Sequence, residues 1–201
     1  MRHPRAWGAW RIVAATFLAL VSAVASAHQE SGQAAGFLAG LAHPVSGMDH
    51  VLAMIAVGLW GAVLGPPAIW VLPVAFPVVM AFGGLLGLLG IALPGVEVGI
   101  AVSAIVLGAM VATEVRPPIA LAAVIVAFFA IFHGHAHGRE LPEGTSALLY
   151  SLGFVVATGL LHAVGIVLGV AHRWPAGRQV VRVAGGGVAL AGLLFLWRAI
   201  A

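Results

Sequence analysis

The sequence predicts an all-α membrane protein that forms a bundle of six transmembrane helices after removal of a signal peptide. Hydrophobic residues make up 62% of the 201 residues, and charged residues make up only 7%. A soluble domain of this size needs a polar shell to stay dissolved, whereas a surface that faces lipid does not. The apolar runs are long and do not alternate with a period of two, so they favour helices over the strands of a membrane barrel.

Residues 1–27 have the pattern of a cleavable secretory signal peptide. Arginines precede a short apolar stretch from Ile12 to Val24, and Ala25-Ser26-Ala27 matches a cleavage site of the A-x-A type. The apolar stretch is shorter than the ~20 residues that a comfortable span needs, which favours cleavage over an uncleaved first helix. The mature chain, residues 28–201, would then form the six-helix transmembrane domain.

The mature chain contains apolar runs that are separated by proline, glycine and arginine. Such residues end helices or place charge at the membrane surface. The predicted spans are Ala35–Leu64, Ala68–Leu89, Val96–Thr113, Ile119–His133, Ser146–Val170 and Val180–Ile200. These runs suit a hydrocarbon core ~30 Å thick, although the fourth is short.

The arginines predict how the bundle lies in the membrane. With a cleaved signal, the mature N-terminus lies outside the cytoplasm. The cytoplasmic turns then hold Arg116, Arg173, Arg178 and Arg182, and the outer side holds Arg139 and Arg198. This bias agrees with the positive-inside rule and predicts a multi-pass protein with its mature N-terminus outside. The arginines form no basic run, so no nucleic-acid partner is expected.

Glycines that lie four residues apart indicate how the helices pack. Gly61 and Gly65, Gly83 and Gly87, and Gly165 and Gly169 have this spacing, which lets helix backbones approach closely. We interpret them as seams inside one bundle. The same spacing would suit contacts between copies of the chain, so a homo-oligomer stays open.

The first span contains an unusual polar stretch, His43-Pro44-Val45-Ser46-Gly47-Met48-Asp49-His50. Imidazole and carboxylate groups are costly at membrane depth, so a functional site is the first hypothesis. Pro44 and Gly47 would disturb a regular helix, and irregular backbone at this depth is tolerated where it is buried or lines a cavity. The alternative is that Asp49 and His50 form a hydrogen-bonded pair that locks two helices together.

A second polar stretch, His133-Gly134-His135-Ala136-His137-Gly138-Arg139-Glu140, follows the fourth predicted span. Imidazoles at alternate positions, His133, His135 and His137, are typical of a short metal-binding tract. The glycines would let this segment fold so that the three rings converge. The alternative is a solvated polar loop.

Three further residues are candidate metal ligands. His162 stands alone in the fifth span, where it would be either a ligand or a hydrogen-bonded partner between helices. Glu97 opens the third span on the outer side. His28, at the predicted mature N-terminus, would offer an α-amine and an imidazole once both are deprotonated. This last interpretation depends on cleavage after Ala27.

The available ligand types restrict the metal. The chain has no cysteine, so imidazole and carboxylate are the remaining protein ligands. Imidazole suits nickel, zinc, copper and iron, whereas Mg²⁺ and Ca²⁺ prefer oxygen cages. We therefore expect a divalent transition metal as a bound or transported ion, and no prosthetic group.

The two polar stretches resemble the HupE/UreJ family. The resemblance rests on His43-Pro44, Gly47 and Asp49-His50, followed by Met54 and Gly58, together with the stretch from His133 to Glu140. It extends over the whole mature chain, including Glu97 at a span start and the Ala157-Thr158 and Leu161-His162 element.

The resemblance to this family implies a secondary permease for nickel or cobalt, with a link to hydrogenase or urease maturation. It implies import from the periplasm through the bacterial inner membrane. Among the candidate ligands it supports His43, Asp49 and His50 best, and His28 and His162 less firmly.

The leading hypothesis is therefore a permease, and no enzyme activity is expected. The predicted topology orders the ligands by depth: His135 and His137 at the outer mouth, then His133, His43, Asp49 with His50, and finally His162. A series of weak sites suits conduction, because an ion must both enter and leave. A metal-binding accessory or sensor protein is the first alternative. An intramembrane metal hydrolase is less favoured, since the chain has no H-E-x-x-H and no nucleophile motif.

Overall fold

The computed structural model describes residues 33–142 and 144–201, and this part of the chain is helical, with no strand. The predicted signal peptide and His28 lie outside the described residues. The helices are α1 (Gln33–Ala42), α2 (Met48–Leu64), α3 (Ala68–Leu88), α4 (Val96–Thr113), α5 (Ile119–Arg139), α6 (Ala147–Gly169) and α7 (Pro175–Ile200). Short 3₁₀ turns follow α1 at His43–Val45 and α6 at Val170–Arg173. The predicted all-α class is confirmed.

Five of these helices, α3 to α7, are long and apolar enough to cross a membrane. The first predicted span is instead a bent pair, in which the segments Gly36–Val45 and Met48–Leu64 meet at 80°. Counting that pair as one broken span gives six among the described residues.

The bend between α1 and α2 has a local cause in the sequence. Pro44 lies inside the 3₁₀ turn, and Gly47 before α2 has extended backbone with φ −109° and ψ 119°. The Ser46 hydroxyl donates to the carbonyl oxygen of His43 at 2.6 Å, and the Ser46 amide donates to the same oxygen. The predicted break at Pro44 and Gly47 is therefore a sharp turn that brings His43 to the start of α2.

Two predicted boundaries are wrong. The fourth span does not end at His133, because α5 continues to Arg139 and includes the whole histidine tract except Glu140. The sixth begins at Pro175 rather than Val180. Proline is favourable in the first helical turn, where its missing N–H group costs nothing.

Glycines close three helix pairs: α3 with α5, α2 with α6, and α4 with α7. In each pair a Cβ atom on the glycine would overlap backbone atoms of the facing helix. The glycines concerned include Gly83 and Gly134 in the first pair, Gly58 and Gly165 in the second, and Gly108 and Gly185 in the third. The predicted seams at Gly83 and Gly165 are confirmed, whereas Gly65 ends α2 at φ 77° with open space around it.

Large hydrophobic side chains cover both the interior and the outside of the bundle. Trp60, Leu72 and Phe76 are fully buried, while Val74 and Leu160 are well exposed. Such an outer surface suits contact with lipid chains. Among the described residues, six of the seven buried polar side chains lie on α2, α5 and α6, and the seventh, Ser103, lies on α4.

Candidate metal site

The bend after α1 brings His43 to the C-terminal end of α5. His43 Nε2 lies 2.9 Å from Glu140 Oε2, and His137 Nδ1 lies 3.7 Å from the same oxygen. One ligand atom from each of these three residues lies within 4.8 Å of the others. Ligands bound at ~2.0 Å to a tetrahedral ion are roughly 3.3 Å apart. A small contraction would therefore turn this group into a three-ligand site.

Glu140 supplies a negative charge to this group. The imidazoles of His137 and His43 lower the pKa of its carboxyl group from 4.5 to about 2, against the opposing effect of partial burial. The side chain is 55% exposed, so it marks the end of the site that is open to solvent. A permanently ionised carboxylate at this end would attract and help neutralise a divalent cation.

The imidazoles continue inward from this group in ring-to-ring contact. The centroids of His43 and His137 are 4.8 Å apart, those of His137 and His50 are 4.3 Å apart, and those of His50 and His133 are 4.7 Å apart. His133 and His137 lie on one face of α5, because residues four apart in a helix are neighbours. We call Glu140, His43, His137, His50 and His133 the histidine column.

Two hydrogen bonds select which nitrogen of a column histidine is free. His50 Nδ1 lies 2.9 Å from Asp49 Oδ1, which also accepts the His50 amide at 2.8 Å. An ionised carboxylate can only accept, so Nδ1 carries the proton and Nε2 keeps its lone pair. Through this oxygen, Asp49 fixes the orientation of the His50 ring.

Ser103 on α4 has the same effect on His133. Its hydroxyl donates to the Ile100 carbonyl oxygen at 2.6 Å, so its oxygen accepts from His133 Nε2 at 2.8 Å. The Nδ1 atom of His133 is then left with a free lone pair. Hydrogen bonds to the far nitrogen commonly fix the orientation of metal-binding histidines.

The free nitrogens of the column are buried without partners. His50 Nε2, His133 Nδ1 and both ring nitrogens of His137 make no hydrogen bond with any described residue. Burying polar atoms without a partner is costly, and unpaired groups in a native interior call for an explanation. A metal ion in the column would provide the missing partner.

Aromatic rings surround the column and continue beyond it. Phe154 packs on His137 with centroids 4.2 Å apart. At the inner end, the Phe76 ring lies 5.5 Å from both His133 and His162. His162 is thus reached from the column across a single phenyl ring.

The structure places the other predicted ligands elsewhere. His135 points away from the column, since consecutive helical residues are rotated by about 100°, and its Nε2 donates to the Ile91 carbonyl oxygen at 2.7 Å. Glu97 is exposed in the first turn of α4 and belongs to no ligand group among the described residues. The predicted loop in which three imidazoles converge is wrong, because helical geometry separates His135 from His133 and His137. The predicted depth order also changes, as His43 lies at the exposed end.

Sequence reasoning missed several residues of the site. Glu140 was counted with the second polar stretch but not as a ligand, and Ser103 was not singled out. A usable signal was present in α6, where Tyr150, Phe154, Thr158 and His162 recur every four residues and are all buried. That spacing aligns them on one helix face.

Comparisons with known proteins identify the family to which the sequence is similar. The sequence model of the family described as "HupE / UreJ protein" matches residues 16–195. The chain is also 51% identical, over 182 residues, to "Protein HupE" of Rhizobium leguminosarum bv. viciae. This alignment covers 90% of this chain and 95% of that protein. No solved structure gives a significant match.

Proposed function

The chain belongs to the HupE/UreJ family, and we propose that it is a secondary permease that imports Ni²⁺ or Co²⁺ through the histidine column. The family is associated with nickel and cobalt transport or with accessory roles for hydrogenase and urease, rather than with catalysis. The metal is the cargo, so no resident cofactor is needed.

One observation carries the proposal: a buried row of imidazoles with unpaired nitrogens leads inward from an anionic carboxylate. The exposed end holds Glu140 and His43, and the inner end holds His133. Each imidazole offers one lone pair, and successive rings are in contact. An ion can therefore exchange ligands one at a time, and no single position binds it with a full ligand set. Such weak, closely spaced sites favour passage over storage.

The arginines support import as the direction of movement. The helix ends opposite the Glu140 end carry Arg116, Arg173, Arg178 and Arg182. By the positive-inside rule this face would be cytoplasmic. Glu140 and His43 would then open to the periplasm. Metal delivered to the cytoplasm would be available for hydrogenase or urease maturation.

Uptake into proteoliposomes tests the proposal directly. The purified chain should admit Ni²⁺ and Co²⁺, with Zn²⁺ measured in parallel. His137→Ala should reduce uptake per folded molecule by about 10-fold or more, since losing even a residue that only orients a metal ligand typically costs about 10–100-fold in metal affinity or activity. His135→Ala is the matched control, because it removes an imidazole of the same tract that points away from the column.

Two outcomes would contradict the proposal, the first its metal path and the second its transport activity. Equal uptake by wild type and a folded His137→Ala variant would remove the column from the path. Metal binding without any uptake would instead indicate the accessory or sensor role.

A further inference from the structure

Beyond Phe76, α6 carries two buried polar side chains that nothing in the described part of the chain satisfies. His162 is 1% exposed and Thr158 is fully buried. Both ring nitrogens of His162 and the Thr158 hydroxyl oxygen lack a hydrogen-bond partner. The two residues lie four apart and share one face of α6. Phe154, one turn before Thr158 on that face, packs on His137, so the face follows the column inward.

A backbone oxygen completes this group. Pro77 has no N–H group, so the carbonyl oxygen of Pro73 loses its regular donor inside α3. This carbonyl oxygen lies near the His162 ring without forming a regular hydrogen bond to it. The His162 imidazole and this freed carbonyl oxygen therefore lie where α3 and α6 approach each other, and the Thr158 hydroxyl lies one helical turn away on the same face of α6.

The backbone around His162 is held firmly. Gly58 of α2 packs directly against the His162 carbonyl oxygen, and Gly165 packs against the Ile55 carbonyl oxygen. Ligands that project from such a seam keep a defined position, which a metal site requires. The unpaired side chains are thus presented by a rigid part of the bundle.

We propose that His162, Thr158 and the Pro73 carbonyl oxygen form a second binding site for the divalent transition metal. This inference rests on the proposed function and names the position that the ion occupies after it leaves His133 and passes Phe76. The site contains one imidazole and two neutral oxygens, whereas the outer group contains two imidazoles and the anionic Glu140. It binds the ion more weakly, and weak binding at the inner position permits release.

Counting bound ions tests this site without relying on transport. The purified full chain in detergent is titrated with Ni²⁺ alone, by equilibrium dialysis and by calorimetry. Wild type should bind two ions with different affinities. His162→Leu should lose the weaker ion and keep the tighter one, and His137→Leu should do the reverse. Thr158→Val, which preserves shape, should weaken the second ion by about tenfold.

Thr113→Val is the matched control for the hydroxyl, because the Thr113 hydroxyl is exposed and already donates to the Ala109 carbonyl oxygen. It should leave both affinities unchanged. If His162→Leu and Thr158→Val both still bind two ions with unchanged affinities, the second site does not exist. If His137→Leu binds no ion at all, the second site does not exist either. If the predicted pattern of two ions appears but proteoliposomes show no uptake, the second site stands and the permease fails.

Discussion

At the scale of single residues, the site depends as much on groups that orient imidazoles as on the imidazoles themselves. A histidine can bind a metal only through a nitrogen without a proton, so the partner of its other nitrogen decides which lone pair is offered. Asp49 fixes this choice for His50, and Ser103 fixes it for His133. Each of these two rings thus keeps one defined nitrogen free of a proton.

Replacing Ser103 tests this orienting role. In Ser103→Ala the His133 ring loses the one hydrogen-bond partner that it has among the described residues, so the protonated nitrogen is no longer fixed. We expect the affinity for Ni²⁺ to fall by about 10–100-fold, as it typically does when a residue that orients a metal-binding histidine is lost. Titration of the purified protein measures the change. Ser151→Ala, on the exposed side of α6, is the control and should bind as wild type does; equal binding by both variants would show that Ser103 has no such role.

Glu140 and the imidazoles should make separable contributions to the pH dependence of uptake. The pKa of Glu140 is lowered to about 2, so its carboxylate stays ionised across the physiological range. Its stabilising effect is present above its ordinary pKa of 4.5 and is lost only as the pH falls through about 2. A fall in uptake between pH 7 and 5 would therefore come from protonation of imidazoles and not of this carboxylate.

Glu140→Gln is the variant that checks this assignment. It should lower uptake at every pH, because the charge at the entrance is gone, and it should leave the acid-induced fall in place. The measurement needs proteoliposomes without an imposed proton gradient. A Glu140→Gln variant whose uptake no longer responds to pH between 7 and 5 would assign the acid response to the carboxylate instead.

Much of the site could be predicted from the sequence, and the failures have physical reasons. Histidines within an apolar span are conspicuous because they are costly to bury, and this argument singled out His43 and His50, whereas His137 was singled out by the alternating imidazoles of its tract. Whether Asp49 contacts the ion or a neighbouring ring depends on side-chain direction, which spacing does not determine. Ser103 was missed because a single serine in an apolar helix is common and gives no signal of its own.

At the scale of helices, a glycine can either loosen the backbone or allow two helices to pack closely, and only tertiary contacts show which role it has. Gly134 and Gly138 were interpreted as flexible joints, yet both lie inside α5. A Cβ at Gly134 would overlap the Met80 carbonyl oxygen, and one at Gly138 would overlap the Gly84 carbonyl oxygen. Close packing against α3 thus compensates for the low helix propensity of glycine, which costs about 1 kcal/mol relative to alanine. The facing helix supplies that compensation, so the local sequence does not reveal it.

Two glycines of α6 offer a direct test of the seam with α2. A Cβ at Gly165 would overlap the Ile55 carbonyl oxygen, whereas one at Gly159 would meet nothing within 4 Å. Gly165→Ala should therefore lower stability by about 1–3 kcal/mol, the usual cost of overpacking. Gly159→Ala should raise it by up to about 1 kcal/mol through helix propensity.

Thermal unfolding in detergent, followed by circular dichroism, compares the two glycine variants under the same conditions. Each variant adds one methyl group to the same helix, so detergent effects cancel between them. Equal shifts in melting temperature would show that the seam does not constrain α6. The inference that the seam holds His162 in place would then be wrong.

At the scale of the whole molecule, the column lies between two helix pairs that are each closed by glycine. The α2/α6 pair carries His50 and His162, and the α3/α5 pair carries His133, His137 and Phe76. A cavity of about 290 Å³ opens between α3, α5 and α6 beside His137. Firm packing within pairs and open space between them would let the pairs move relative to each other, which is how many transporters alternate access.

Charge is distributed unevenly between the two ends of this bundle. Arg178 donates to both carboxylate oxygens of Glu114 and lowers the pKa of that group, and Arg182 donates to the Ala112 carbonyl oxygen. Both arginines are thereby anchored at the end of α4. Arg116 and Arg173 are exposed at the same end, so this face keeps a positive charge after Glu114 is counted.

This asymmetry predicts the orientation of the protein in the membrane, and the chain is well suited to the test because it has no native cysteine. A cysteine introduced by Arg139→Cys, beside the Glu140 end, should react with a membrane-impermeant maleimide added outside intact spheroplasts. One introduced by Arg173→Cys should react only after the membrane is opened. Each variant removes one arginine, so the net charge changes equally, and uptake of Ni²⁺ confirms that both are folded. The reverse labelling pattern would place Glu140 and His43 in the cytoplasm. The end of the column that holds Glu140 would then release metal into the cytoplasm or capture it there. The proposed path of the metal would stand, but the proposed direction of transport would be wrong.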